Sequence, residues 1–116
     1  MLIRIDAESS HPLFEQVASS VRADILIGRL VPGHRLPSAR DVAETLDINV
    51  HTVLRAYQQL RDEGLVDLRR GRGAVIAASA APLAQLSHHI DDLVARAADL
   101  GVSRSTLAAL IKENSA

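Results

Sequence analysis

The sequence predicts a mainly α fold with one small β-hairpin, organised as a compact head and a short helical tail. Three observations predict it. Leu36 to Tyr57 holds two short amphipathic helical patterns in quick succession. Leu65 to Ala77 switches to a two-residue alternation around a glycine-rich tip. From Leu83 onward, apolar residues recur at spacings of 3 and 4.

Taken in order, Met1 to Glu8 alternates Leu2, Ile3 and Ile5 with polar residues, which predicts a short edge strand. Ser9 to Pro12 look like a helix start, with Pro12 acceptable in the first turn. Leu13, Val17, Val21 and Ile25, with Phe14 and Ala18 beside them, mark one helix of about four turns. Gly28 ends it as a C-terminal glycine. Leu30 to Leu36, with Pro32 and Gly33 and followed by Pro37, reads as a turn.

The central stretch is LPSARDVAETLDINVHTVLRAY. Ser38 is an N-cap with Asp41 three positions on, close to a capping box. Val42, Ala43 and Leu46 fall on one helical face, and Arg40, Asp41 and Glu44 point away. Asp47, Ile48 and Asn49 interrupt the pattern, and Asn49 can cap the next helix. There Val53, Ala56, Tyr57 and Leu60 form the buried stripe, leaving His51, Thr52, Arg55 and Gln58 or Gln59 outside. Taken alone, this could be an ordinary helical hairpin. A tight break, with hydrogen-bonding side chains in the first turns of the second helix, also describes a helix-turn-helix.

Gly64 stops the second helix, and LVDLRRGRGAVIA follows. Its alternation predicts a hairpin with Arg70, Gly71, Arg72 and Gly73 at the tip. Glycines there permit positive φ and close approach to a phosphate or a groove, and the arginines supply charge. Taken alone, RGRG reads as a solvated turn; directly after the helix pair it completes a winged helix-turn-helix. The expected division is 1–77 as a winged helix-turn-helix DNA-binding domain and 78–116 as a helical dimerisation tail, with Ala78 to Ala81 as linker. In the tail Leu83, Leu86, Ile90, Leu93, Ala97 and Leu100 form a two-stripe seam, widened by Val94. Gly101 breaks this helix, Ser103 caps another, and Leu107, Leu110 and Ile111 give the last one an apolar side. Two helices this short cannot enclose a core, so they pack back on the head or pair with a second copy. The seam favours the second copy, and these leucines, with Ile90, Val94 and Ala97, are the expected dimer interface.

Composition bounds the function. The 116 residues, 47% apolar, suffice for one modest core. No apolar run approaches the ~20 residues of a membrane span. The opening MLIRIDAESSHP is too short and polar for a secretory signal. The absence of cysteine excludes a disulfide framework and a thiolate metal site, so a cytoplasmic location without a membrane partner is expected. Net charge is −1, and residues 1–76 balance ten Arg against ten Asp and Glu, so distribution matters more than the sum. Arg40, Arg55, Arg69, Arg70 and Arg72 belong to the motif face, whereas Asp24, Glu44, Asp62 and Glu63 fall at helix backs or ends. Twelve of the 13 basic residues are Arg, the side chain suited to bidentate guanine and phosphate contacts.

From Pro12 to Ala77 the chain resembles the GntR family of bacterial transcription regulators. The likeness rests on PLFEQVASSVRADILIGRLVPGHRLPSARDVAETL, then VHTVLRAYQQLRDEGLV, then RRGRG. HTVLRAY and the short tail look most like the YtrA subfamily. The resemblance implies a double-stranded DNA partner, Arg40 reading a base edge, and Asn49, His51, Thr52 and Arg55 facing bases and phosphates. It implies that Gly71, Arg72 and Gly73 enter the minor groove. Ser38 and Arg70 complete the expected DNA-contacting set. Val50 stands where many relatives carry Arg, or Pro in the short subfamily, Leu54 where a second Arg is common, and Gly73-Ala74-Val75 where Gly-Thr-Phe is usual. These departures leave the fold intact but make any borrowed operator uncertain and suggest weaker phosphate anchoring.

The expected function is a homodimeric DNA-binding regulator, a repressor, acting on a pseudo-palindromic operator. The resemblance also implies control of transporter genes. Two rivals from the same fold are a protein-interaction winged helix and a non-specific architectural DNA binder. A catalytic or metal role is the rival from another class: His88, His89, Asp91 and Asp92 cluster on the tail, with His88 and Asp92 an i, i+4 pair. Two ligands are too few, and a polar outer face opposite the leucine seam explains them. Ser9, Ser10, Ser19 and Ser20 have no paired His and Asp, so no enzyme and no cofactor are expected. A small-molecule effector would bind at the dimer interface, or there is none.

Overall fold

A computed structural model describes residues 3–114. The chain divides into two compact units, the first ending at Ala84 and the second starting at Gln85. The first holds α1 (Leu13–Leu26), α2 (Ala39–Leu46), α3 (Val50–Asp62), β1 (Val66–Arg69) and β2 (Gly73–Ile76). The second holds α4 (Ser87–Asp99) and α5 (Arg104–Glu113). Its fold class is the expected one, mainly α with a two-stranded antiparallel sheet.

α1 buries Val17, Ala18, Val21 and Ile25, the face its periodicity announces. Pro12 stands at its N-cap with φ −55, and Gly28, at φ +83, turns the chain away after Ile27. α2 starts where the Ser38 hydroxyl accepts a hydrogen bond from the Asp41 amide (3.1 Å), and α3 where the Asn49 side chain accepts from the His51 amide (2.8 Å). Between them Asp47 takes the left-handed conformation, φ 55 and ψ 52. An Asp tolerates that region better than a branched residue. The Ala43 carbonyl accepts from both the Asp47 and Ile48 amides, closing α2 in a tight turn.

Val53, Ala56, Tyr57 and Leu60 are the buried residues of α3. They meet α1, α2 and β1 in one core that also takes in Ile3, Leu30, Leu36, Leu65 and Ile76. The hairpin pairs Val66 with Ile76 and Arg69 with Gly73, leaving residues 70–72 as the tip. Gly71 and Gly73 hold φ near +80 and +71 there, conformations glycine adopts without steric cost.

Three expectations need correction. The segment Ile3–Asp6 is not an edge strand, and Met1 and Leu2 of that expectation lie outside the described residues. Its backbone donors go to α1 side chains instead: Arg4 to the Ser20 hydroxyl (3.1 Å) and Asp6 to the Gln16 carbonyl oxygen (2.6 Å). Burial of Ile3 therefore needs no sheet partner. Residues 33–36, read as a turn, lie along the outer edge of β2 with a bridge between Arg35 and Val75. Gly33 donates to Ile76, Ile76 to His34 and Leu36 to Ala74, at 2.8–2.9 Å. Finally, residues 78–86, expected to be a linker running into a helical seam from Leu83, form a 3-10 segment with Pro82 inside it, and α4 begins only at Ser87. Ala80 is buried in the first core, Leu83 packs against it, and the Ser79 hydroxyl donates to the Gly64 carbonyl. Those contacts, and a proline without an N–H, favour tight turns over a continuous α-helix.

In the second unit α4 packs on α5, and Ala97 is the one buried residue among those described. Ser103 caps α5 by accepting from the Thr106 amide at 3.1 Å. Leu86, Ile90, Leu93, Leu100, Leu110 and Ile111 all stay exposed.

A clamp joins α1 to the end of α3. Arg22 donates from Nε and from a terminal nitrogen to the two Glu63 oxygens at 2.7 and 2.6 Å, and Gln59 adds a third bond at 2.9 Å. The guanidinium holds the Glu63 carboxyl below its ordinary range. A carboxylate with a lowered folded-state pKa stabilises the fold above the unfolded value and loses that effect as pH falls through the folded one. Because both side chains are partly solvated, Glu63→Gln should cost only about 0.5–1 kcal/mol at pH 7. Melting the two chains from pH 7 to pH 2 should show the gap closing below about pH 4.3; a gap that persists in acid would assign the effect to something other than this charge.

Candidate nucleic-acid interface

The burial of one stripe of α3 dictates what its other side presents. With Val53, Ala56, Tyr57 and Leu60 inside, His51, Arg55, Gln58 and Gln59 are exposed and Thr52 is half-buried. Asn49 and Ser38, at the starts of α3 and α2, are also exposed. Each uses an oxygen to accept a cap bond, which leaves the Asn49 NH2 and the Ser38 hydroxyl hydrogen available to donate outward. Arg40, the second residue of α2, is exposed, as are Arg70, Gly71, Arg72 and Gly73 of the hairpin tip.

A cleft of about 510 Å³ runs between the hairpin, the start of α2 and the outer side of α3. Of the sequence-expected contact residues, Ser38, Arg70, Arg72 and Gly73 line it. Arg40, Asn49, His51, Arg55 and Gly71, all exposed, and the half-buried Thr52 do not line this cleft. The cleft also takes in Arg35, which no sequence motif had singled out, and Arg69, expected on this face but not among the contacts. Arg35 arrives through the bridge to Val75. The alternation of Arg35 with Leu36 was the available signal, hidden between Pro32 and Pro37.

Charge is distributed as the site needs it. Among the described residues, Arg35, Arg40, Arg55, Arg70 and Arg72 make no ion pair. The arginines that are paired lie mostly elsewhere: Arg22 with Glu63, Arg61 with Asp62 at 3.3 Å, and Arg29 with Asp24 at 4.0 Å. Arg69 is the exception in the cleft, 3.4 Å from Asp67. A face of unneutralised guanidiniums can therefore exist on a chain of near-zero net charge. The departures noted above also have places. Val50 is half-buried against the core, Leu54 and Leu68 give the cleft an apolar lining, and Ala74 is buried beneath it.

Tyr57 fixes α3 against the start of α2. It is only 3% exposed, and its hydroxyl donates to the Pro37 carbonyl at 2.7 Å, one residue before the Ser38 cap. Burial pushes its phenol well above the ordinary value, so it stays a neutral donor. On the tail His88, His89, Asp91 and Asp92 are exposed, and no group of three His, Cys, Asp or Glu among the described residues could hold a metal ion.

Two helices joined by a three-residue turn, the second exposing polar side chains beside an arginine-tipped hairpin, define a winged helix-turn-helix. The model of bacterial regulatory proteins of the gntR family matches residues 13–76. The chain belongs to the GntR family and is a transcriptional regulator, of the short YtrA-like kind. It is 34% identical to the HTH-type transcriptional repressor YtrA of Bacillus subtilis, over 99% of this chain and 93% of that one. An HTH-type transcriptional regulator from Mycobacterium tuberculosis is 33% identical over 89% and 85%. Among solved structures, YtrA from Sulfolobus acidocaldarius, a GntR-family transcription factor, superposes with a TM-score of 0.63 at 32% identity, covering 85% of this chain and 99% of that one. These relatives and this fold are those of transcription regulators, not of enzymes.

Removing the Tyr57 hydroxyl isolates its role. Tyr57→Phe keeps the ring and leaves the Pro37 carbonyl without its donor, so it should cost about 1 kcal/mol and lower Tm by about 4 °C or more. Thermal unfolding by circular dichroism checks this, and an unchanged Tm would mean that the bond contributes nothing.

Proposed function

We propose that the protein is a homodimeric repressor that reads a pseudo-palindromic operator, with α3 of each copy in a major groove and the arginine-tipped hairpin entering the adjacent minor groove. The observation that carries this reading is the row of exposed donors on α2 and α3 beside unpaired arginines on the hairpin tip. Guanidiniums free of internal acids suit bidentate contacts with guanine or phosphate. On this reading Ser38, Arg40, Asn49, His51, Thr52, Arg55 and residues 70–73 contact DNA, joined by Arg35. Repression follows the role of the Bacillus subtilis relative, a transcriptional repressor, and control of transporter genes follows from the resemblance to YtrA-type regulators. A cytoplasmic site of action accompanies both.

Dimerisation rests on the second unit. Leu93 is 43% exposed, Leu100 75% and Ile111 60%, yet α4 and α5 bury only Ala97 between them among the described residues. Helices that enclose so little need a partner face. A second copy supplies one, and a two-fold pair of α3 helices then matches half-sites roughly 10 bp apart. Any small effector would bind at that dimer interface.

Selection from a random duplex library at about 0.15 M salt tests the function. A two-fold symmetric winner, bound on the order of a thousand-fold above scrambled DNA, is the expected result. Binding without enrichment would favour an architectural role, and no binding would favour a protein partner. A dimer neutralising about 6–8 phosphates should give a log–log salt slope of about −5 to −7. Arg40→Ala should cost about 1–3 kcal/mol and relax preference at one base position, whereas Arg72→Ala should weaken all sequences evenly. An Arg40→Ala chain with unchanged preference would count against this assignment.

The tail has its own test. Leu93→Asp should give a monomer by light scattering, with operator affinity down by about 10²-fold or more as the bivalent gain is lost. A persisting dimer would sink the assignment of this face.

A further inference from the structure

We infer that Phe14 is a positioning residue for DNA binding, its ring holding the Arg55 guanidinium in place on the outer side of α3 before DNA arrives. The inference rests on the DNA-reading role of α3. The Arg55 guanidinium carbon lies 3.7 Å from the centroid of the Phe14 ring, well within cation–π range. Phe14 belongs to the first turn of α1, is half-buried, and packs against the core, so the ring is itself held. Arg55 is exposed and makes no ion pair with a described acid.

The chemistry of that contact suits a residue kept ready for another partner. A carboxylate beside an arginine consumes its donors and neutralises its charge, as Glu63 does to Arg22. A ring occupies only the flat face of the guanidinium and leaves the N–H groups around its edge, with the full charge, for phosphate or guanine. Holding a long side chain beforehand also removes part of the ordering entropy that binding would otherwise cost. Arg55 carries unusual weight here. α3 contains two arginines, and the other, Arg61, is paired with Asp62 at its far end. Val50 and Leu54 bring no charge to the first turns of the helix, so Arg55 is the unpaired guanidinium of α3 among the described residues.

The test uses the full chain, the selected duplex and a scrambled duplex, with Phe14→Leu, Phe14→Tyr, Arg55→Ala and the Phe14→Leu/Arg55→Ala pair. Phe14→Leu keeps an apolar side chain and loses the ring face, so selected-duplex affinity should fall about two- to fivefold. Phe14→Tyr keeps the face and should bind like wild type. With Arg55 already Ala, Phe14→Leu should cause no further loss. An equal loss in both backgrounds, or a Phe14→Leu chain that binds like wild type, would overturn the inference while leaving the DNA reading standing. A wild type that binds neither duplex overturns both. Should Phe14→Leu fail to fold, the free wild type still decides: NMR should find the Arg55 side-chain protons shifted upfield by the ring, and unshifted resonances overturn the proposal.

Discussion

Tyr57 has to be inside the core and bonded to the chain ahead of α2 at the same time, and much of the head is arranged to allow both. Its ring sits in the α3 stripe with Val53, Ala56 and Leu60, and its hydroxyl reaches the Pro37 carbonyl. A buried phenol without a partner would carry a desolvation penalty of about 1–3 kcal/mol. Satisfying it ties α3 to the residue just before the Ser38 cap. The angle between the two helices of the motif is thus constrained from both ends: by Tyr57 at one, and by the Asp47 turn, with its shared Ala43 carbonyl, at the other. Everything α3 presents outward inherits its position from this buried stripe.

The same constraint explains why the motif could be read from the chain. Period 3.6 places Val53, Ala56, Tyr57 and Leu60 on one side, and cap residues at 38 and 49 mark where each helix starts without reference to distant structure. The hairpin was legible because its tip needs glycine. What escaped depends on contacts across sequence. Ile3 to Asp6 alternates like a strand, but alternation reports only burial of every second residue, and Ser20 and Gln16 satisfy its amides from a helix. The strand-like edge at residues 33–36 hides between two prolines because it needs only a few bonds to β2. Spacing alone starts the tail seam at Leu83, because it counts apolar residues and does not see Ala80 and Leu83 held by the first core. For the candidate interface, periodicity disclosed which side chains face out. It could not disclose that Arg35 joins the cleft or that Arg55 lies over Phe14, 41 positions away in the chain.

A net charge of −1 looks unsuited to a polyanionic partner, and the structure removes the difficulty by sorting the charges. Several acids are taken up by other arginines: Glu63 clamps Arg22 across two helices and accepts from Gln59, while Asp24, Asp62 and Asp67 lie beside Arg29, Arg61 and Arg69. Among the described residues, Arg40, Arg55, Arg70 and Arg72 are left without such partners. The Debye length is about 8 Å at physiological salt, so a phosphate at the tip responds to the nearby arginines more than to acids on the far side of the domain. Local field, not the sum over the chain, sets the attraction.

The tail completes the physical argument from the opposite direction. The head closes its own core with helices and strands to spare, whereas α4 and α5 expose most of their leucines and isoleucines. Such a surface is costly on a lone chain and is stabilised by a matching face. An isolated head would hold DNA through one short helix and one hairpin, a modest set of contacts. Two heads joined through their tails convert the second contact into an intramolecular event, with a gain of about 10²–10⁴ that needs no additional base contact. On the proposed dimer reading, the few cations on α3 and the apolar face of the tail would be two sides of one arrangement, with specificity divided between heads and affinity recovered by pairing them.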